Sequence, residues 1–360
     1  MGEYSRHIHP QRRSVATPQA LVGEDGQAVF GTFDKEFLDM DLLRAVHPTH
    51  APQAFNKAKL TLWQEAEVDL GPGVLLIAVS DMGLFGKMLH LYWDKATGRL
   101  RSWDVTRPVR DVSIAPNLLD GARTLGSGPH CQVEYVNHYE QGQAAVTGRL
   151  QGRAGQLAYS LKLTNVSLPS IVSIPFGPNR PLYSQKNLFA ASGWAELDGR
   201  RIDCGPQATA IIDDHRGYYP RRMHYDWLTA MGVRRTADGQ AERFGFNLTR
   251  NQSLDQQRFN ENLVWMAGRI SLLPPVAFTR EHATDPRRPA NVWHVADEHD
   301  MVSIDYTVAT HNAMVTHALV VDIDYYYTFG TLAGYVRDED GTKIVLDGMV
   351  GLGEDKSMLF

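Results

Sequence analysis

The chain has 360 residues, 43% hydrophobic and 21% charged, which is enough apolar material for one large domain or two of ordinary size. A net charge of -5 and a pI near 6.3 argue against a nucleic-acid-binding surface, because the basic pairs are short and scattered. The two cysteines, Cys131 and Cys204, fit neither a disulfide framework nor a metal-ligand spacing, so we interpret them as buried thiols in a reducing compartment.

The N-terminal segment MGEYSRHIHPQRRSV has no apolar stretch of the kind that a secretory signal requires. The longest apolar run, Val74 to Val79, is far too short to span a bilayer. We therefore expect a cytoplasmic protein without a membrane span.

Residues 1–50 predict an irregular arm, with a weak helical pattern only in DKEFLDMDLLRAVH. From Phe55 onward the pattern changes to short alternating strands, such as KLTLWQEAEVDL and the buried run VLLIAVSDMG. KMLHLYWDKATGRLRSWDV predicts a hairpin that turns at residues 96–98. Asp-Gly pairs at 198–199, 238–239, 340–341 and 347–348 suit two-residue turns, in which both central residues take positive φ.

Short strands with turn signals about every ten residues predict an all-β fold of two antiparallel barrel-like or sandwich-like halves with few helices. Regular alternation of strands and helices is absent from the sequence, which argues against a doubly wound fold. The break IPFGPNRP, Ile174 to Pro181, interrupts the strand rhythm and predicts a domain boundary. The predicted divisions are an arm at 1–50, an N-terminal β-domain at 51–178 and a C-terminal β-domain at 179–360.

Motifs for nucleotides, metals and activated serine are missing. The sequence contains no Gly-Lys-Ser/Thr phosphate loop, no GxGxxG after a strand and no GxSxG turn. HVADEH (His294 to His299) has one residue too many for an inverted zinc-protease motif, and His7 and His9 lack a third ligand. We therefore expect no cofactor and no metal.

The segment DDHRGYYPRRMHYDW, Asp213 to Trp227, combines six charged residues, two histidines and four aromatic residues. It follows the strand-like run QATAII, and side chains alternate between the two faces of a strand. One predicted face carries Asp214, Arg216 and Tyr218, and the other carries Asp213, His215 and Tyr219. Pro220 cannot donate to a strand ladder, so we expect a bulge or a sheet edge there.

Beyond Pro220 the same alternation predicts a mainly aromatic face and an ionic face. The first consists of Arg221, Met223, Tyr225 and Trp227, and the second of Arg222, His224 and Asp226. Single Arg–Asp pairs often only tie strands together. For the whole segment we favour a ligand cavity, since so many hydrogen-bonding side chains need partners or a polar ligand when buried. Further on, Asn247 and Asn262 lie within strand-like alternation, where amides are disfavoured, and Trp265 follows them.

Several segments resemble the family called domain of unknown function 2804, with coverage from about Phe55 to the C-terminus. They include YSQKNLFAASGWAELDGRRI, IIDDHRGYYPRRMHYDWLTAMG, NENLVWMAGRISLLPPV and LDGMVGLGEDKSML. The most specific element is Tyr-x-Gln-Lys followed by Asp-x-Arg-Gly and an aromatic-Pro pair. The matching residues are Tyr183, Gln185, Lys186, Asp214, Arg216, Gly217, Tyr219 and Pro220.

More distantly, the layout is similar to the carotenoid hydratase-like superfamily. This resemblance implies two lipocalin-like β-barrels in tandem and a reaction on an apolar polyene or polyketide without a cofactor. In place of the usual Trp-x-Asp-x-Glu-Trp pattern of that group, this sequence has Tyr225-Asp226-Trp227 and Asp213-Asp214-His215.

Three functions remain open on the sequence. The first is a cofactor-independent lyase, hydratase or isomerase that transfers protons on an apolar or amphipathic small molecule, such as an isoprenoid, polyketide or lipid-like compound. The second is a non-catalytic carrier of an apolar ligand, and the third is an acid–base enzyme on a carboxylate-bearing substrate. The oligomeric state is left open.

The sequence also ranks the candidate residues. Asp214 is the first candidate acid, because burial raises a carboxyl pKa, but pairing with Arg216 would make it an anchor. In that case His215 or His224 becomes the better acid–base group. The candidate ligand contacts are Tyr183, Lys186, Arg216, Tyr218, Tyr219, Arg221, Arg222, Tyr225, Trp227, Asn247, Asn262 and Trp265.

Overall fold

The computed structural model describes residues 4–236, 239–281, 290–318 and 321–359. The chain forms two compact units. The first comprises Ser14–Tyr219, and the second combines Pro220–Phe360 with the N-terminal residues Met1–Arg13. Both consist almost wholly of antiparallel strands, which confirms the predicted all-β class with two tandem lipocalin-like halves and few helices.

The first unit contains a large curled sheet with a few added short strands. Its strands are Ser14–Val15 (β1), Gly31–Phe33 (β2), Leu60–Asp69 (β3), Gly73–Asp81 (β4), Phe85–Asp94 (β5), Leu100–Pro108 (β6), Val112–Ser113 (β7), Ala122–Gly128 (β8), Cys131–His138 (β9), Gln143–Gly152 (β10), Gly155–Asn165 (β11), Ser170–Pro175 (β12), Pro181–Leu197 (β13), Arg200–Asp203 (β14) and Thr209–Tyr218 (β15). Its helical pieces are Asn56–Lys59 (α1) and the 3-10 turns Leu42–Arg44, Gln53–Phe55, Val109–Asp111 and Tyr139–Gln141.

The strand order of this sheet is β6-β5-β4-β3-β15-β13-β11-β10-β9-β8-β7. The curl encloses one apolar core to which nearly every long strand contributes, including Val68, Ile77, Leu161 and Ile212. Tyr135 on β9 donates across this core to the carbonyl of Ile77 on β4, at 2.7 Å. In this order β15 lies between β3 and β13 in the wall of the curled sheet.

The second unit has its own sheet, in the order β19-β18-β17-β16-β25-β23-β22-β21-β20. Its strands are Arg222–Arg235 (β16), Ala241–Arg250 (β17), Leu263–Met266 (β18), Arg269–Leu272 (β19), Ala277–Arg280 (β20), Val292–Ala296 (β21), Val302–Ala318 (β22), Val321–Arg337 (β23), Lys343–Val345 (β24) and Val350–Leu359 (β25). A separate core of buried side chains, among them Leu228, Phe246 and Trp293, fills this unit.

The units divide at a different point from the one that the sequence suggested. The break Ile174–Pro181 is the turn of a hairpin, because β12 pairs with β13 and Pro175 lies opposite Pro181. The chain passes between the units at Tyr219–Pro220 instead, where the strand ladder is interrupted as expected for proline. A proline-rich turn within one domain and a linker between two look alike in sequence.

The predicted arm is also divided. Residues 1–13 belong to the second unit, where Arg12 is buried and donates to the carbonyls of Leu273, Asn260 and Asn262. Burial lowers the pKa of Arg12 to about 9. The rest of the arm, from Ser14 onward, belongs to the first unit and packs there through a second apolar cluster that includes Phe33, Phe37 and Tyr183.

Several local predictions are confirmed. The β5–β6 hairpin turns at residues 95–97, and Asp198 and Gly199 both have positive φ (51° and 82°) in the β13–β14 turn. Asp238 of another predicted turn lies outside the described residues. Cys131 and Cys204 are free thiols. Among the described residues, no helix is long and apolar enough to cross a membrane.

Strand β13 depends on a glycine where it exchanges one neighbour for another. Gly193 has φ +110°, and a Cβ there would lie 2.1 Å from the carbonyl oxygen of Ser160. We expect Gly193→Ala to lower the free energy of unfolding by about 1–3 kcal/mol, because both the backbone and the packing would be strained. Urea unfolding would measure the change. Gly205→Ala is the control, because a Cβ there would lie 3.7 Å from its nearest neighbour, the carbonyl oxygen of Leu70. It should change stability by less than about 0.5 kcal/mol.

Candidate active site

Strand β15 lies between β3 and β13, and all ten of its residues are buried. The register places Asp213 opposite Glu65 on β3 and Lys186 on β13. His215 lies opposite Trp63 and Ser184 in the same way. Because residues directly opposite share a face, each face of β15 collects side chains from three strands.

One face carries a closed ion pair. Arg216 donates to both carboxylate oxygens of Asp214, at 2.7 and 3.0 Å. It also donates to the carbonyl oxygens of Ala115 (2.7 Å) and Pro116 (3.1 Å). Both side chains are almost fully buried. This arrangement favours an anchoring role for Asp214 over the role of catalytic acid. Four of the five N–H donors of Arg216 are already engaged within the protein, which disfavours a bidentate contact of Arg216 with a carboxylate ligand.

The neighbouring tyrosines on that face are also engaged in the fold. Tyr183 donates to Gln185 at 2.8 Å, and Tyr218 donates to the carbonyl of Leu42 at 3.0 Å. Both rings are fully buried in the cluster that holds the N-terminal segment of the first unit. We therefore assign Tyr183 and Tyr218 structural contacts rather than ligand contacts.

The opposite face of β15 carries a different cluster, centred on His215. The Lys186 ammonium lies 3.0 Å from His215 Nε2, 2.8 Å from Ser184 Oγ and 3.2 Å from Asp213 Oδ1. His215 Nε2 is 3.4 Å from the same Asp213 oxygen. A histidine, a lysine and a carboxylate thus lie in mutual contact in a buried position, where proton transfer between them is possible without bulk water.

Aromatic rings cover the His215 imidazole. The Trp63 ring stacks on it with centroids 4.6 Å apart, and Tyr219 stacks on Trp63 at 5.8 Å. Phe176 meets Tyr219 edge to face at 6.1 Å. The Tyr219 hydroxyl lies 3.5 Å from His215 Nδ1. Trp63 and Tyr219 are only partly buried, so they form an aromatic shelf beside the histidine.

Two glutamates of this face were missed by the sequence analysis. The alternation of KLTLWQEAEVDL assigns Trp63, Glu65 and Glu67 to one polar face, which would ordinarily be exposed. In the structure Glu65 is 9% exposed and Glu67 is fully buried. Burial raises the pKa of Glu67 well above its ordinary value, and the nearby Glu65 and Asp213 raise it further. The raised pKa favours the neutral form of the Glu67 carboxyl over its charged form, and the charge of Lys186 opposes this effect.

In the second unit, most candidates from the sequence form a structural hydrogen-bond network. Trp227 donates to Asn247 at 2.6 Å, and Tyr225 donates to Glu261 at 2.5 Å. Asn262 lies just before β18 and bonds to the backbone of Thr249 and Pro274. Trp265 is fully buried in β18.

His224 lies in a separate ionic group of the second unit. Its Nε2 is 3.1 Å from Asp226, which also pairs with Arg280 at 2.6 Å. The hydrogen bond to Asp226 raises the pKa of His224, although burial opposes this. Arg221 and Arg222 are exposed, so they offer no shared pocket for an anionic substrate. The residues that the sequence grouped between Asp213 and Trp227 are thus divided between two faces of β15 and a second unit.

A model of the family described as domain of unknown function 2804 matches residues 12–360. A search of curated proteins finds no match. The crystal structure of CghA with Sch210972 has a TM-score of 0.51 at 11% identity, covering 83% of this chain and 89% of that one. An AttH-type protein from Nitrosomonas europaea has a TM-score of 0.50 at 13% identity, covering 86% and 96%.

Kievitone hydratase from Nectria haematococca has a TM-score of 0.45 at 9% identity, with coverage of 83% and 88%. At such identities the likeness concerns the fold alone. The matches to CghA and the AttH-type protein agree with the predicted β-fold and show nothing beyond it.

The anchoring role of Asp214 can be tested by stability. We expect Asp214→Ala to lower the free energy of unfolding of the first unit by about 3–5 kcal/mol, because it leaves the Arg216 guanidinium buried and uncompensated. Asp203→Ala is the matched control, since it removes one partner of the exposed Arg201–Asp203 pair and should cost less than about 1 kcal/mol. Urea unfolding measures both. Equal stability of the Asp214→Ala variant and the wild type would contradict the anchor.

The raised pKa of Glu67 predicts a specific dependence of stability on pH. The contribution of the protonated Glu67 side chain to the free energy of unfolding is fully present below the ordinary pKa of 4.5. It is lost as the pH rises through the higher pKa of the folded state. Glu67→Gln mimics the neutral acid and removes this titration. The stability of the wild type relative to Glu67→Gln should therefore fall above pH 4.5, by at most about 1.4 kcal/mol per pH unit. Urea unfolding at several pH values measures this difference, and a constant difference would refute a protonated Glu67.

Proposed function

We propose that this chain, which belongs to the domain of unknown function 2804 family, is a cofactor-independent enzyme of the hydratase, lyase or isomerase type that transfers protons on a largely apolar small molecule. The observation that carries the proposal is the contact of His215 with Lys186 and Asp213 beside the aromatic shelf of Trp63 and Tyr219. His215 is the proposed proton-transfer group.

The contacts of Lys186 define the state of the histidine. An ammonium group has three N–H donors, and three acceptors surround Lys186 Nζ: Ser184 Oγ, His215 Nε2 and Asp213 Oδ1. With Nε2 as an acceptor, the proton of the neutral imidazole resides on Nδ1, on the side of Tyr219. This tautomer follows from the hydrogen-bond pattern.

The hydrogen-bond pattern distinguishes the two ends of the imidazole. Lys186 and Asp213 contact Nε2 at the buried end, whereas the hydroxyl of the partly exposed Tyr219 lies near Nδ1 at the other end. In a hydration, one carbon of a double bond gains a proton and the other gains the hydroxyl of water. In an isomerisation, a proton leaves one carbon and returns at another. Both reactions require a positioned group that gives up and takes back one proton. His215 can release its Nδ1 proton while Nε2 takes one from the Lys186 ammonium, and the reverse transfers restore the starting state.

The shelf favours an apolar ligand. Trp63, Tyr219 and Phe176 present ring faces and edges rather than charged groups, and a ring face also stabilises positive charge that develops on a substrate. CghA, a protein of this fold, was crystallised with Sch210972, which supports small-molecule binding by the fold. A carboxylate-bearing substrate has less support, because Arg216 is paired and Arg221 and Arg222 are exposed.

The test begins with the ligand. Native mass spectrometry of the purified protein, mixed with extracts of isoprenoid, polyketide and lipid-like compounds, identifies the bound class, and the bound compound is then incubated for turnover. We expect His215→Gln to lower turnover by about a hundred- to ten-thousand-fold with the fold intact, because a positioned acid or base contributes that much.

His90→Gln is the matched control for loss of a buried histidine. His90 lies within the core of the first unit, where burial lowers its pKa to about 3 and its Nε2 meets the Tyr159 hydroxyl at 2.9 Å. This variant should keep the turnover of the wild type. A tightly bound compound that the wild type never converts would instead identify a carrier. Full turnover in His215→Gln would refute the proposed proton-transfer role.

A further inference from the structure

The turn between β4 and β5 in the first unit carries exposed apolar side chains. Leu84 is 74% exposed, and Phe85, the first residue of β5, is 41% exposed. Gly83 places this turn against α1, since a Cβ on Gly83 would lie 2.6 Å from the carbonyl oxygen of Ala58. Phe55, directly before α1, is 57% exposed. Two separate segments thus bring three large apolar side chains to one region of the surface, the apolar tip.

The turn is held in shape by its own hydrogen bonds. The amide of Met82 donates to the carbonyl of Phe85 at 2.9 Å, and the amide of Gly83 donates to the carboxylate of Asp81 at 2.8 Å. Single exposed apolar side chains are common on proteins, whereas a group of large ones marks a contact surface. The apolar tip is therefore a shaped projection that offers apolar area to a partner.

Basic side chains lie beside the apolar tip. Lys57 and Lys59 of α1 are exposed, and neither forms an ion pair within the part of the chain that the structure describes. Phe85 lies directly opposite Pro108 at the end of β6. The 3-10 turn that follows carries Arg110, whose side chain is 84% exposed. Lys57, Lys59 and Arg110 form a basic collar around the apolar tip.

This region has an excess of positive charge. Two other basic residues nearby are already paired, Lys87 with Asp104 at 3.0 Å and Arg107 with Asp111 at 2.8 Å. Asp81 is the carboxylate of the turn itself, and the three cations of the basic collar outweigh it. The whole chain carries a net charge of -5, so this region differs in sign from the chain as a whole. The charge therefore favours an anionic partner.

We propose that the apolar tip and the basic collar dock the first unit onto the surface of an anionic lipid membrane. The apolar side chains enter the boundary between headgroups and acyl chains, and the basic collar contacts the anionic headgroups. A lipid surface suits a projecting turn, because fluid acyl chains need no complementary shape. The docking does not depend on the proposed reaction, although an apolar ligand also partitions into membranes.

Sedimentation of the full chain with vesicles tests the proposal, using phosphatidylcholine alone and equal amounts of phosphatidylcholine and phosphatidylserine. We expect binding to the mixed vesicles that weakens as salt is added, because the basic collar is exposed and its charges are screened. Leu84→Ser should weaken this binding about tenfold or more, since it removes a buried leucine from the docked state. Lys57→Gln should weaken it about fivefold. Circular dichroism checks that both variants keep their strands.

Two matched controls change exposed side chains outside the region. Leu254→Ser removes a leucine that is 64% exposed in the second unit, and Lys162→Gln removes an exposed lysine of β11. Both variants should bind as the wild type does. Absence of binding to the mixed vesicles, or equal binding by Leu84→Ser and the wild type, overturns the proposal. Equal weakening in the controls would show a nonspecific effect and overturn it too.

Analytical ultracentrifugation without lipid separates the proposal from self-association. We expect the wild type and Leu84→Ser to have the same mass in solution. A wild-type oligomer that Leu84→Ser dissociates would instead assign the apolar tip to a second copy of this chain, and it would overturn docking to a membrane.

Discussion

The burial of both faces of β15 is the constraint on which the site depends. A charged side chain without exposure to water needs a partner at hydrogen-bond distance, or its charged form becomes too costly. On one face this requirement is met by the Asp214–Arg216 pair and two backbone carbonyls. On the other face it is met by Lys186, Asp213 and His215 together. The same short strand thus holds the sheet together on one side and carries titratable groups on the other.

Charge balance explains why the second face is suited to chemistry. Glu65, Glu67 and Asp213 face one lysine across neighbouring strands, so three negative charges would meet one fixed positive charge. Burial and this repulsion raise the pKa of Glu67 well above its ordinary value, which favours its protonated form. The Asp214–Arg216 pair has no such excess of negative charge, because its two charges cancel. The capacity to hold or release a proton therefore belongs to the face around His215.

The remaining candidates are structural contacts or lie in separate groups. Asn247 and Tyr225 are held in a hydrogen-bond network of the second unit. Asn247 accepts from Trp227 and donates to the carbonyl of Glu261, and Tyr225 donates to the Glu261 carboxylate. Arg12 serves the same unit by donating to three backbone carbonyls with a guanidinium that is fully buried. Polar residues that look like a ligand site in sequence can thus be backbone partners in the fold.

The sequence by itself determined the local features. Alternation with a period of two identified the strands and placed Asp213 and His215 on the face opposite Asp214 and Arg216, because these properties depend only on adjacent residues. Asp198-Gly199 determined a turn for the same reason. The spacing of Asp214 and Arg216 on one face also predicted that Asp214 would be an anchor if the two side chains paired.

The tertiary structure alone decided which polar face is buried and which strands adjoin it. Glu65 and Lys186 reach Asp213 only through the register of β3 and β13 with β15. The break Ile174–Pro181 became a hairpin because β12, before it, pairs with β13, after it. Alternation gives each side chain a face, but burial of that face depends on contacts between segments far apart in the chain, which no local pattern contains.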